Sequence, residues 1–374
     1  MKKVLKFLLP VVLLVLTLAF MSACNNNEEE DAEDYASVSA AEYIQIALIG
    51  HSPESILNDG SFNEGAWEGV AQFLEDHDLP STHLRFYQAV APDDDARFNI
   101  MIQAIDGGAN VLVLPGFQHG NALYDAQDLY PDVHFIILDG VPGRDGNTRI
   151  ESNVAAVIYA EAEAGFLAGY AAVMEGYTAL GFMGGNPAPA VIRFGHGFIQ
   201  GAEHAAHSLG LEEGSVEVNF HYLGSFAPAP EHVVTASTWI VSGTELIFAA
   251  AGGAGMSVIA GVYEAGGISI GVDVDQHWVN DSVMTSAMKA LGVSVHNMLT
   301  DILNDTFPGG ELHFYNAAID GVGLPMQSSR FETFTQAQYD AIFNQIASGA
   351  LVVNTSENMA DILADLSIVV VNEM

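Results

Sequence analysis

The sequence predicts an α/β protein built from parallel sheets. Three observations point there. Short apolar runs alternate with amphipathic stretches of ten or more residues, the pattern of βαβ units. The runs are nearly continuous in apolar residues, as strands covered on both faces require. The chain has 374 residues, half of them hydrophobic, which is enough for two cores.

Each element follows from its local pattern. Ile44–Ile49 reads as the first buried strand. Asn63–Glu75 reads as a helix, because Ala66, Trp67, Val70 and Leu74 fall on one side. A strand is expected over Leu84–Ala89, a helix over Ala96–Ile105 and a strand over Val111–Leu114. The helix Gln118–Leu129 and the strand Val133–Leu138 close this half. The unit then repeats: helix Ala155–Met174, strand Thr178–Met183, helix Ala190–Ser208, strand Val216–Tyr222. Glu245–Ala251 and Ile268–Val272 are two more strands with a helix between them. In such sheets ligands bind beyond the carboxyl ends of the strands. Those ends are rich in glycine and carboxylates here, among them Asp139-Gly140, Gly252-Gly253 and Asp273-Val274-Asp275.

Composition narrows the function. Acidic residues number 47 against 10 basic, a formal net charge of −37, so the chain should repel nucleic acid. Lys2, Lys3 and Lys6 precede an apolar run from Phe7 to Phe20. Residues 1–23 therefore read as a secretory signal, too short to be favoured as a membrane helix. Met21-Ser22-Ala23-Cys24 resembles a bacterial lipobox, which implies lipidation of Cys24 and an anchor on the extracytoplasmic face of the cell membrane. The polar stretch 24–42 has little to bury and is expected to be a disordered tether. Cys24 is the one cysteine, which excludes an internal disulfide framework and a cysteine-rich metal site. Apart from Lys2, Lys3 and Lys6, the chain has one lysine, Lys289.

Several motifs occur together in order. Asp59-Gly60-Ser61-Phe62-Asn63 is followed by Ala66-Trp67-Glu68-Gly69. Then come Gly116-Phe117, Phe135–Gly140, Glu163-Ala164-Gly165-Phe166-Leu167-Ala168-Gly169 and Gly197-Phe198-Ile199-Gln200-Gly201. Ala250–Gly255, Ile270–Gln276 and Thr285–Lys289 complete the series. With these motifs, from about Ile44 to Leu324, the chain resembles the basic membrane protein or PnrA-like purine nucleoside-binding lipoproteins. His51-Ser52 departs from the loop common in that family after the first strand.

The resemblance implies a type I periplasmic binding protein fold, with two lobes joined by a hinge and the ligand between them. Lobe one is expected over 43–150 and 278–308, lobe two over 151–277 and 309–374. It also implies a substrate-binding protein that hands a nucleoside to the permease of an ABC importer, as a monomer without cofactor or metal. Carried over by position, Phe62 is one stacking face for the base. Phe198 is the opposite face, with Phe194 one helical turn earlier as the alternative. Asn63 hydrogen-bonds the base, and Asp59, Asp139, Gly253, Asp273 and Lys289 complete the ligand set.

The residues themselves leave other roles open. Asp59-Gly60 can turn the chain while Ser61 or Asn63 caps the helix. Asp273 and Asp275 lack a third oxygen ligand beside them for a metal. No H-E-x-x-H, G-x-S-x-G or P-loop occurs, and His51-Ser52-Pro53-Glu54 lacks the aspartate cluster of a nucleoside hydrolase. A flavin or sugar binder of the same fold, or a sensory receptor partner, are the alternatives outside that enzyme class.

Overall fold

The computed structural model describes residues 43–374; the leader 1–23, Cys24 and the tether 24–42 lie outside the described residues. The chain runs β1 (Ile46–Gly50), α1 (Phe62–Asp76), β2 (Leu84–Gln88), α2 (Asp94–Asp106), β3 (Val111–Pro115), α3 (Gly120–Leu129) and β4 (His134–Leu138). A small ribbon of β5 (Gly143–Arg144) and β6 (Asn147–Thr148) precedes β7 (Val154–Tyr159). Next come α4 (Glu161–Glu175), β8 (Ala179–Gly184), α5 (Pro189–Leu209), β9 (Val216–Tyr222), α6 (Pro230–Val241) and β10 (Leu246–Ala250). Then follow α7 (Gly253–Glu264), β11 (Ile268–Asp273), β12 (Val283–Lys289), α8 (Leu291–Leu303) and β13 (Glu311–Tyr315). The last elements are β14 (Val322–Gly323), α9 (Gln336–Ala347), α10 (Met359–Leu363) and β15 (Val369–Glu373).

Among the described residues the strands form two large sheets, ordered β13-β7-β4-β3-β1-β2 and β14-β12-β11-β10-β8-β9-β15. All pairs are parallel except β12–β14. Strands β1, β3 and β10 are buried along their whole length, because helices cover both faces. Asp93 caps α2 by accepting from the Ala96 amide, and Gly176 and Gly210 end α4 and α5 in the left-handed conformation.

Two expectations need correction. The helix expected over Ala155–Met174 is strand β7 followed by α4. Ala155, Ala156 and Ala160 favour a helix locally, but pairing of β7 with β4 and β13 overrides that preference. The expected lobe boundaries also differ from sheet membership. Strands β7 and β13 stand in the first sheet and β12 in the second.

The chain thus crosses between lobes after β7, after β12 and after β13. The crossings are tied together: Ala160 N donates to Tyr315 O, Ala290 N to Gly321 O, and Ala317 N to the Glu163 carboxylate. The strand–helix rhythm continues through all three, so no composition break marks them.

The glycines of the two helical motifs have a packing role. A Cβ on Gly165 would collide with the carbonyl oxygen of Phe194, and one on Gly201 with that of Phe166. Helices α4 and α5 therefore cross backbone against backbone. That crossing sets where α5 presents its aromatic side chains.

Candidate functional site

A cavity of about 320 Å³ opens between the lobes at the carboxyl ends of the strands. The first lobe contributes the loop after β1, the start of α1, and the ends of β3 and β4. The second contributes the start of α5, Phe226, the Gly252-Gly253 turn, Asp273 and Lys289. Of the residues expected there, Asp59, Phe62, Asn63, Asp139, Gly253, Asp273 and Lys289 all line it.

Phe198 does not. It is fully buried and packs on Phe248 in the core, ring centroids 5.4 Å apart. Phe194, the alternative one turn earlier, lines the cavity instead. Both share one face of α5 and both pack on Phe248, and position along the helix separates them: Phe194 stands nearer the helix N-terminus that abuts the cleft.

The polar centre is Lys289, at the end of β12 and only 5% exposed. Its Nζ donates to Asp139 Oδ2 at 2.6 Å and lies 3.4 Å from Glu161 Oε1 and 3.6 Å from Asp273 Oδ1. It also stands 4.9 Å from the centroid of Phe62 and 5.2 Å from that of Phe194, within cation–π range. Burial opposes the ammonium charge. The three carboxylates outweigh it and hold the Lys289 pKa above the ordinary lysine value. Asp139 is pushed up to about 7 by burial, with Lys289 pulling the other way and Glu161 adding to the rise. Its Oδ1 is buried and has no partner among the described residues. Asp139 and Asp273 both have left-handed backbones, φ 56° and 68°, a region Asp enters more readily than most residues.

Glu161 was missed in the sequence. The motif drew attention to Glu163, which instead holds the hinge amide of Ala317. Glu161 is fully buried beside Lys289 and accepts from Arg193 Nε at 2.8 Å. The available signal was a carboxylate at the first position of a helix with a largely apolar body. Phe226, also on the cavity wall, stood in a loop with no pattern to single it out.

Asp59 lines the cavity as a brace. Its two oxygens accept from the amides of Ser61, Asn63 and Glu64 and from Asn63 Nδ2. It is therefore Asp59 that caps α1, and neither Ser61 nor Asn63. Burial raises its pKa to about 6 against those three amides. Ser61 is free to donate across the cleft to Asp273 Oδ2 at 2.6 Å, and Gln276 Nε2 donates to Gly60 O at 2.7 Å. With the Asp139–Lys289 bond, these join the two lobes at the cavity. Asp275 lies outside the lining and bonds His277 and Ser328.

The remaining pole belongs to the loop after β1. His51, Ser52 and Ser55 line it, and Arg97 ties it down by donating to His51 O, Pro92 O and Asp94. The cavity thus has one pole at Lys289 and its carboxylates, a second at His51 and the serines with Glu54 and Arg97 beside them, and the aromatic faces of Phe62, Phe194 and Phe226 on its walls. Among the described residues no helix is long and apolar enough to cross a membrane.

Comparison with known proteins agrees with this architecture. The family described as ABC transporter substrate-binding protein PnrA-like (Bmp) matches residues 46–357. The "ABC transporter nucleoside-binding protein BmpA" of Lactococcus lactis subsp. cremoris is 28% identical over 74% of this chain and 80% of its own. The "Basic membrane protein A1" of Borrelia garinii subsp. bavariensis is 25% identical over 84% of this chain and 89% of its own. A solute-binding protein of an ABC transporter system from Aeropyrum pernix K1 shares the fold at TM-score 0.71. It is 19% identical, over 86% of this chain and 96% of its own. Proteins of this family bind substrates for ABC transporters on the extracytoplasmic side and are not enzymes. With the match spanning both lobes and the cleft between them, the chain belongs to the Bmp family of PnrA-like ABC transporter substrate-binding proteins.

Proposed function

We propose that this chain captures a nucleoside, a purine nucleoside above all, between its lobes and delivers it to an importer permease. The observation that carries the reading is the charged pole beside flat aromatic walls. Asp139 Oδ1 is a buried acceptor in need of a donor, and vicinal ribose hydroxyls supply two. Lys289 reaches the ribose oxygens, while Phe62 and Phe194 offer faces for the base. Stacking contributes about 1–3 kcal/mol per base and tolerates either purine. The name of the Lactococcus relative supports the same ligand class.

The rest of the reading concerns where the protein works. Lipid on Cys24 holds a monomer at the outer face of the cytoplasmic membrane, with the stretch 24–42 as its tether. Cys24→Ser is then expected to leave the membrane pellet for the soluble fraction, and retention after a high-salt wash counts against the anchor.

Calorimetric titration with inosine and with hypoxanthine tests the ligand. Lys289→Met is expected to weaken inosine binding by about 2–4 kcal/mol, the range for truncating a buried charged partner. Hypoxanthine, without a ribose, should lose much less. Equal inosine affinity in both proteins removes Lys289 from the site.

A further inference from the structure

The loop after β1 fixes the direction of a short hydrogen-bond chain. Ser52 Oγ accepts from Glu54 N at 3.2 Å and lies 3.4 Å from Ser55 Oγ. Ser55 Oγ accepts from Ser52 N at 3.2 Å and lies 3.1 Å from His51 Nδ1. Two proton arrangements fit these distances. If His51 Nδ1 carried the proton, Ser55 would donate to Ser52. The hydroxyl of Ser52, a residue 6% exposed, would then have no protein acceptor among the described residues. In the opposite direction Ser52 donates to Ser55, Ser55 donates to His51 Nδ1, and every hydroxyl proton is used. A buried donor left without a partner is costly, so the second arrangement prevails. It makes His51 a neutral imidazole whose remaining group is an Nε2–H donor. Burial, with Arg97 nearby, keeps it neutral by lowering its pKa to about 4.

Asn63 is fixed as well. Its amide nitrogen faces two acceptors, Ile56 O at 3.2 Å and Asp59 Oδ2 at 2.8 Å. The flipped amide would set oxygen against oxygen, so the assignment is forced, and both amide protons are taken. What Asn63 offers the cavity is its carbonyl oxygen.

From this fixed donor and fixed acceptor we infer that the cavity selects a base presenting a carbonyl next to a ring N–H, the lactam edge of a 6-oxopurine, over a 6-aminopurine. The inference rests on the nucleoside reading above. It assigns His51 as the specificity-determining donor to the base carbonyl and Asn63 as acceptor of the ring N–H. An adenine edge reverses both partners. Its amino group meets the His51 N–H, and its ring nitrogen meets the Asn63 oxygen. Sites built to hydrogen-bond one partner reject the reversed one because their own polar groups are left unpaired.

The test is competitive calorimetry of the whole protein with inosine and adenosine, which share the ribose and differ at that edge. The wild type is expected to prefer inosine by about tenfold or more, as one gained bond and one avoided donor–donor contact require. His51→Phe should bring the two affinities within about threefold, chiefly by weakening inosine. His51→Gln, which keeps an N–H donor, should retain most of the preference. Ser55→Ala, which frees the imidazole to take either tautomer, should lower it. Wild-type affinities within about threefold of each other overturn the inference and leave the nucleoside reading standing. An undiminished inosine preference in His51→Phe does the same. Failure of every nucleoside to bind overturns both.

Discussion

Lys289→Met removes a cation enclosed by three carboxylates and replaces it with an apolar chain of similar length. Asp139, Asp273 and Glu161 then remain packed together, with Arg193 bonded to Glu161. Breaking a buried ion pair by deleting one partner costs about 3–5 kcal/mol, because the other charge stays buried. The loss should depend on pH, and the sign follows from Asp139. Its folded pKa is already raised, to about 7, with Lys289 among the groups holding it down. Without Lys289 it rises further. A raised carboxyl pKa means the folded state holds a proton that the unfolded state releases. Stability therefore falls as pH climbs from the unfolded value towards the folded one. In the wild type that fall ends near pH 7; in the variant it continues to higher pH, at about 1.4 kcal/mol per pH unit. Urea unfolding at pH 5 and pH 8.5 measures the difference. The variant should be destabilised by about 3–5 kcal/mol at pH 8.5 and by less than that at pH 5. A loss below about 1 kcal/mol, or one equal at both pH values, refutes the buried-cluster account.

Two further outcomes follow from the same geometry. Phe194 is 2% exposed and packs on Phe248, so Phe194→Ala should weaken nucleoside binding by about 1–3 kcal/mol and also cost about 3–5 kcal/mol of stability, whereas Phe198→Ala should cost a similar stability and leave the affinity of the folded protein unchanged. Titration combined with urea unfolding separates them, and the opposite pattern reverses their roles. His119 is fully buried, and its pKa is lowered to about 3 by burial, then by His51. A depressed histidine contributes stability that is complete above about pH 6.5 and lost as pH falls towards 3, so the wild type should lose about 2 kcal/mol through this group by pH 5. His119→Gln, which keeps a donor for Ile49 O, should escape that loss; parallel pH profiles of the two proteins contradict it.

How much of this could be read beforehand differs by feature. Strands such as Val111–Pro115 and His134–Leu138 announced themselves through unbroken apolar runs between turn residues. Their carboxyl ends named most of the cavity lining, because a βα loop that must meet a ligand has to carry glycine or a carboxylate. The hinge was hidden, since the chain crosses between the sheets after β7, β12 and β13 without a change in pattern. Alanine masked β7, where long-range pairing decides the structure. Phe194 and Phe198 share a helix face, so periodicity could not rank them; which one reaches the cavity depends on where α5 begins relative to the cleft. Glu161 escaped because a carboxylate in the first turn of a helix usually faces water. Here it is buried because two cations come to meet it, Arg193 and Lys289, the latter 128 positions along the chain.

A crystal structure of the protein with inosine tests the central claim most directly. The ribose hydroxyls should lie on Asp139, Asp273 and Lys289, and the base should stand against Phe62 and Phe194 with its carbonyl towards His51. Inosine bound outside the cleft, or with its ribose at the His51 pole and its base at Lys289, contradicts the account.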